Sequence, residues 1–209
     1  MSIPYLFHFK ILPALLYITF RGYLADSGWF RSVIEKRPVD KNGNPIPWTT
    51  YSFIEFIGPR LKLDFRVFEY GAGASSLYFS SRVSQVVSVE HDLSWKAKVE
   101  SSKPDNVEIL YRDSVDSKGY VGGINRLPAF DIIFIDAIER VACLRESPKH
   151  LTARGIVVLD DSEREEYSEG IQFLMKKGFR KIDFWGFSPG FIYRKCTTIF
   201  YRDNNCIGI

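Results

Sequence analysis

The sequence predicts an α/β fold: a doubly wound, mostly parallel sheet of seven strands with an antiparallel C-terminal hairpin and helices on both faces. Apolar runs recur at the intervals of a strand–helix–strand repeat. The glycine-containing stretch 67–76 (VFEYGAGASS) lies where one apolar run stops and a helix begins. The last two apolar runs are joined through Ser188-Pro189-Gly190 without a helix between them, which is typical of an antiparallel pair.

Each element of this fold follows from an apolar run and the polar or turn residues that bound it. The predicted strands are residues 66–70, 85–90, 107–111, 130–136, 155–159, 180–187 and 197–202. The predicted helices are residues 48–57, 74–82, 93–102, 140–152 and 163–177.

The chain divides into an N-terminal helical extension with a lid, residues 1–47, and a single α/β domain, residues 48–209. The apolar, uncharged run 11–20 is too short to span a bilayer. We expect it to pack on the core or on a second subunit, which would make a homo-oligomer. Peripheral contact with a membrane surface is the alternative. The turn-rich residues 37–47 are expected to reach over the sheet edge.

Charge and cysteine content narrow the classes of function. The net charge of +3 comes from 28 basic and 25 acidic residues, a balance that gives no argument for a nucleic-acid partner. The three cysteines are odd in number and lack metal-ligand spacing. We therefore expect a reduced, cytoplasmic protein without a zinc site and without bound nucleic acid.

The loop after the first predicted strand has the features of a small-molecule site. Gly71 and Gly73 lack a Cβ and allow a ligand to approach the main chain. A helix beginning at Ala74 directs free N–H groups to the same place. Glu90 ends the next apolar run, where doubly wound folds hold a ribose by its hydroxyls. Because Glu69 would repel a pyrophosphate, a cationic ligand without phosphate fits better.

These motifs resemble the class I S-adenosylmethionine-dependent methyltransferases, whose first motif ends a strand in an acid followed by Gly-x-Gly. The resemblance covers residues 48–202 and identifies residues 48–209 as a cofactor-binding methyltransferase domain. It implies a cofactor site formed by Glu69, Gly71, Gly73, Ser75, Ser76, Glu90, His91, Asp113, Ser114 and Asp136.

The resemblance also assigns parts of the cofactor to parts of this site. Glu69 and the glycine loop would face the methionine group, and Glu90 the ribose. Asp113 and Ser114 occupy the place where the family contacts the adenine amino group. His91 would either stack near adenine or lie exposed.

A second set of acids, Asp136, Asp160 and Asp161, resembles the metal-binding residues of small-molecule and sugar O-methyltransferases. Three oxygen ligands suit Mg²⁺, which would help an acceptor hydroxyl lose its proton. Alternatively, Asp160 and Asp161 cap the next helix. The sugar enzymes usually carry a further acid where this chain has Ile138, so Glu139 and Asp161 are the candidates for the catalytic base.

The expected function is O-methylation of a sugar hydroxyl in a glycan or glycolipid precursor. The chain lacks the Asn/Asp-Pro-Pro-aromatic motif of amino-directed nucleobase methyltransferases after its fourth strand. Aromatic residues near the C-terminus suit a sugar face. The alternatives are a small phenolic acceptor and a non-catalytic binding module. A nicotinamide-dependent oxidoreductase is disfavoured, because Ser76 stands where a third glycine would be needed.

Overall fold

A computed structural model describes residues 11–209 of the chain. Its central sheet has seven strands in the order β3-β2-β1-β4-β5-β7-β6. The first five pair in parallel, and β7 lies antiparallel between β5 and β6. The strands are β1 Arg66–Tyr70, β2 Gln85–Glu90, β3 Val107–Tyr111, β4 Phe130–Ile135, β5 Leu151–Asp160, β6 Arg180–Gly186 and β7 Lys195–Tyr201. The predicted fold class is confirmed.

Helices cover both faces of this sheet. They are α1 Ile11–Phe20, α2 Tyr23–Asp26, α3 Trp29–Glu35, α4 Tyr51–Ile57, α5 Ala74–Ser80, α6 Leu93–Glu100, α7 Ser117–Val121, α8 Arg140–Glu146 and α9 Ser168–Lys176. Short 3₁₀ turns at Gly58–Arg60, Gly122–Ile124, Ser147–Lys149 and Glu165–Tyr167 extend or precede four of them.

Two buried clusters, one on each face of the sheet, form the core. Helices α4, α5 and α6 pack on one face, against side chains such as Val67 and Phe134. Helices α7, α8 and α9 pack on the other, against the alternate positions Phe68 and Ile133. Successive strand residues point to opposite faces, so covering both faces requires the nearly continuous apolar strands that the sequence shows.

Several element boundaries differ from the sequence prediction, most of all at α8, β5, α4 and α9, which begins at Ser168 instead of residue 163. Helix α8 ends at Glu146 instead of residue 152, and a 3₁₀ turn follows at Ser147–Lys149, because Pro148 has no backbone N–H to continue the helical hydrogen bonds. Strand β5 then begins at Leu151, four residues before the predicted start. Helix α4 begins at Tyr51 with Thr50 as its N-cap residue, which leaves Trp48 in the preceding loop.

Trp29 attaches the N-terminal extension to the loop between β6 and β7 by a hydrogen bond, and Trp48, the first residue after the extension, bonds to the same loop. Trp29 Nε1 donates to the carbonyl oxygen of Phe191 at 2.8 Å, and Trp48 Nε1 donates to that of Pro189 at 2.7 Å. Helix α1 contains no buried residue. Within residues 11–209, none of the helices has both the length and the apolar character needed to cross a bilayer. The domain boundary at residue 47 stays a prediction.

Replacing Phe134 by Ala should destabilise the fold by about 3–5 kcal/mol, because the buried ring fills the space between Phe53 and Phe79. Urea denaturation measures this difference. Leu63→Ala is the matched control: Leu63 is 76 % exposed, so the change should stay within about 0.5 kcal/mol. Equal effects of the two substitutions would contradict the described core.

Candidate active site

The loop after β1 is held tightly between neighbouring strands. Gly71 has a φ of +99°, and a Cβ there would lie 2.6 Å from the carbonyl oxygen of Asp136. The Gly71 amide donates to the carbonyl of Val89, and the Asp136 amide donates to that of Tyr70. Only glycine meets both the conformation and the close approach. A Cβ at Gly73 would meet only the Trp95 ring, at 4.0 Å, so its absence leaves open space in front of the loop.

Glu90 shapes this loop from behind. One carboxylate oxygen accepts the Ala72 amide at 3.1 Å, and the other accepts the amides of His91 at 2.7 Å and Asp92 at 2.9 Å. The carboxylate is buried. His91 is half-buried rather than exposed: its Nδ1 lies 3.1 Å from Glu90, and its ring packs edge-on against Tyr120. Glu90 therefore links the end of β2 to the glycine loop.

Glu69 is a fully buried acid that is only partly hydrogen-bonded. Its Oε2 accepts the Ser88 hydroxyl at 2.9 Å, while Oε1 has no hydrogen-bond partner within the described residues. Burial raises the pKa of Glu69 to about 7, although the nearby hydroxyls of Ser76, Ser75 and Ser88 oppose the shift. A buried carboxylate with a free oxygen can accept a hydrogen bond from a cationic ligand group.

A cavity of about 500 Å³ opens at the glycine loop. This volume is within the range of sites for cofactor-sized ligands. Its wall includes the loop residues Gly71, Ala72, Gly73, Ala74 and Ser75 together with Asp136, two tryptophans, Trp48 and Trp95, and three basic residues, Lys36, Arg37 and Lys98. Pro38 and Pro45 of the predicted lid also contact it. The lid role itself stays a prediction.

Four of the ten predicted cofactor residues line this cavity, namely Gly71, Gly73, Ser75 and Asp136. Glu69, Glu90 and His91 are not among the residues that line it. Ser75 lines the cavity, whereas Ser76 lies behind the loop, where its hydroxyl accepts the Gly73 amide at 3.1 Å. Asp113 and Ser114 are exposed in the loop after β3 and are not among the residues that line the cavity. Their contact with adenine stays a prediction.

Sequence reasoning missed Trp95, which forms part of the cavity wall. Its Nε1 donates to the carbonyl of Ala72 at 2.6 Å and so ties α6 to the glycine loop. The sequence indicates this contact only through the position of Trp95, near the start of the helix that follows Glu90.

The three predicted metal ligands belong to a network that we call the ion-pair cluster. Its members are Asp136, Asp160, Asp161, Arg140, Arg164 and Lys195. Lys195 Nζ lies 2.7 Å from both Asp160 and Asp161. Arg140 lies 2.9 Å from Asp136 and 3.3 Å from Asp161. The three carboxylates thus face three cationic groups.

The surroundings shift the pKa values of the three acids of the ion-pair cluster in different directions. Burial raises the pKa of Asp136, although Arg140 opposes this. Burial likewise raises the pKa of Asp160, to about 7. For Asp161 the effect of burial is outweighed by Lys195, Arg140 and Arg164, and its pKa falls below the ordinary value. The adjacent carboxylates raise the pKa of Lys195 despite its burial, so it stays an ammonium.

These residues do not fit the magnesium site expected from the sequence. Within residues 11–209, no three His, Cys, Asp or Glu side chains are grouped so that they could hold a metal ion. A divalent cation would have to displace the positive groups that already neutralise Asp136, Asp160 and Asp161. Lys195, which no sequence motif indicated, is the residue that changes this interpretation.

The two acids predicted as catalytic bases occupy different surroundings. Asp161 is buried in the ion-pair cluster, while Glu139 is exposed just before α8. Both have φ near +54°, in the left-handed region that non-glycine residues rarely adopt. Such backbone conformations are frequent at functional sites.

No protein-family profile matches the chain, and no curated protein sequence matches it either. Its fold does match solved structures. Precorrin-6y C5,15-methyltransferase from Geobacter metallireducens superposes with a TM-score of 0.58 at 14% identity, over 73% of this chain and 87% of that one. Fibrillarin from Aeropyrum pernix, with natively bound S-adenosyl-L-methionine, gives 0.53 at 15% identity, over 68% of each chain.

A third structure, the tRNA (m1A58) methyltransferase TrmI from Aquifex aeolicus, gives a TM-score of 0.51 at 15% identity, over 75% of this chain and 70% of that one. Identities this low establish a shared fold and nothing finer. The chain therefore has the Rossmann-like fold of S-adenosylmethionine-dependent methyltransferases.

The raised pKa of Glu69 should make the stability of the unliganded protein depend on pH. The folded protein keeps this proton up to about pH 7, while the unfolded chain loses it near 4.5, so the free energy of unfolding falls as pH rises through this window. Glu69→Gln should remove about 3 kcal/mol of that fall. Urea denaturation on either side of the window measures it.

A matched variant has the opposite expected effect. In the wild-type protein the Ser88 hydroxyl donates to Glu69 and lowers the pKa of that carboxyl group. Ser88→Ala removes this hydroxyl, so the pKa of Glu69 should rise further and the loss of stability with rising pH should become larger. If wild type, Glu69→Gln and Ser88→Ala share one pH dependence, Glu69 does not have the raised pKa.

Proposed function

We propose that the chain is an S-adenosylmethionine-dependent O-methyltransferase. The observation that carries the proposal is the cavity of about 500 Å³ at the glycine loop. This loop directly follows the strand that carries Glu69, a buried carboxylate whose Oε1 has no hydrogen-bond partner within the described residues. The fold adds support, since a solved structure that shares it holds S-adenosyl-L-methionine. The cofactor supplies a methyl group on a sulfonium, which is open to displacement by a nucleophilic oxygen.

The residues of the loop suit this cofactor better than a dinucleotide. Glu69 would accept from the methionine ammonium and would be ionised by that positive charge. Glu90 has further acceptor capacity for ribose hydroxyls beside its bonds to the loop amides. A pyrophosphate, by contrast, would lie against two carboxylates.

We assign the general base to Asp136 rather than to Asp161. Asp136 lines the cavity and its pKa is raised, which brings it closer to neutral pH and makes it a better proton acceptor. Asp161 has a lowered pKa and is bound by three cations. In the proposed step, Asp136 would accept the proton of the acceptor hydroxyl. The oxygen would form a bond to the methyl carbon as the bond from that carbon to the sulfonium sulfur breaks, which leaves the neutral thioether S-adenosylhomocysteine. Glu139 is the second candidate.

A sugar hydroxyl is the acceptor that we favour, within a glycan or glycolipid precursor. Trp48 in the cavity wall packs 5.6 Å from the Phe191 ring, which in turn lies 5.1 Å from Tyr193. Exposed aromatic rings beside a cavity suit stacking on a sugar face. A phenolic acceptor would use the same rings, and a binding module without catalysis would need only the cavity.

Nucleic acid belongs among the acceptors to be tested. The balanced charge of the chain predicted no such partner, but the structures that share the fold include a tRNA methyltransferase. The cytoplasmic location inferred from the cysteines stays a prediction.

Isothermal titration calorimetry with S-adenosylmethionine should detect binding, and Glu90→Ala should weaken it by about ten- to a hundredfold through the lost charge-assisted hydrogen bonds. Because Glu90 also holds the loop amides, Glu90→Gln serves as the matched variant: it keeps one acceptor oxygen and should lose less. Unchanged affinity in a folded Glu90→Ala protein would remove Glu90 from the site.

When labelled cofactor is offered with panels of sugars, phenols, peptides and RNA, the label should be transferred to a sugar hydroxyl. An excess of chelator should leave the rate of transfer unchanged, because lysine and arginine already neutralise the three aspartates. Asp136→Asn should lower kcat by about a hundredfold or more while cofactor affinity changes little. Loss of turnover in chelator would restore the metal site. Label only on RNA or peptide would reject the sugar proposal, and label on a phenol would keep the chemistry but change the acceptor.

A further inference from the structure

Helix α1 exposes an apolar surface that the α/β domain does not cover. None of its residues is buried. Leu12, Leu16 and Phe20, spaced one turn apart, are 57 %, 51 % and 74 % exposed. A helix that is apolar and water-facing normally has a partner that removes it from water. The described residues do not supply that partner.

The sequence around α1 carries the positive charge of the whole molecule. Of the 28 basic residues six lie in residues 1–47, and of the 25 acidic residues three do, which leaves 22 of each sign in residues 48–209. The net charge of +3 therefore belongs entirely to the N-terminal extension. Arg21 follows α1 directly and is exposed.

The extension also has a defined place next to the cavity. Trp29 is hydrogen-bonded to the loop that carries Phe191, and Lys36 and Arg37, just after α3, are part of the cavity wall. A surface that holds α1 would therefore hold the extension that also contributes to the cavity wall.

We propose that α1 and Arg21 form a docking surface for an anionic lipid bilayer. Apolar side chains of an interfacial helix enter the boundary between headgroups and acyl chains, and basic residues are attracted by anionic headgroups. Charge decides between this occupant and a second copy of the chain. A symmetric dimer through α1 would bring two positively charged extensions together, whereas an anionic bilayer complements them. The proposal does not depend on methyl transfer.

Flotation with phosphatidylcholine vesicles, with and without phosphatidylglycerol, tests the proposal on the full chain. Wild-type protein should bind the vesicles that contain phosphatidylglycerol, and added salt should weaken the binding. The combined variant Leu12→Ser, Leu16→Ser and Phe20→Ser should lose binding. Arg21→Gln should weaken it about fivefold, since each basic residue near an anionic surface contributes about that factor.

Leu63→Ser is the matched control. Leu63 is equally exposed but lies before β1, at the end of the parallel strands opposite the cavity, so vesicle binding should not change. Thermal unfolding confirms that the variants stay folded, since no buried residue is altered. Binding that is absent in wild type, or kept by the triple variant, overturns the proposal. The proposal is also overturned if the wild-type protein does not bind vesicles but forms a dimer that the triple substitution dissociates.

Discussion

The buried ammonium of Lys195 is the interaction on which the arrangement of the candidate site depends. It lies between two adjacent carboxylates, Asp160 and Asp161, 2.7 Å from each, and so joins the start of β7 to the end of β5. Thr197 adds a hydrogen bond to Asp160 at 2.7 Å. Removing one member of such a pair would leave an unpaired buried charge, which is costly. The antiparallel insertion of β7 is what makes the contact possible.

Because Lys195 and the two arginines neutralise the acids, the ion-pair cluster contributes structure more than reactivity. Asp161 is held ionised, and Asp160 is enclosed by its partners. Asp136 differs, because it also reaches the cavity and has a raised pKa. Of the three acids that suggest a metal site along the chain, Asp160 and Asp161 are thus paired with Lys195, and Asp136 pairs with Arg140 but also lines the cavity.

The glycine loop depends on a second close contact, between Gly71 and the backbone of Asp136. It places the ends of β1 and β4 side by side, so the glycine loop and Asp136 line one cavity. The N-terminal extension contributes the basic residues Lys36 and Arg37 to the cavity wall. The glycine loop and Asp136 therefore lie at the carboxyl end of the parallel strands, where ligands of open α/β folds bind.

The sequence by itself determined the α/β class, the seven strands, the reversed C-terminal pair and the glycine loop with Glu69 and Glu90, because these depend on local periodicity and on residues adjacent in the chain. Only the tertiary structure decided what the acids do. Lys195 and Trp95 reach the site across strand pairs and from a neighbouring helix, and spacing along the chain carries no record of such contacts. The charge balance of a buried site depends on every charged group within a few ångströms. The three aspartates at strand ends therefore predicted a metal site, whereas in the folded protein lysine and arginine side chains neutralise them.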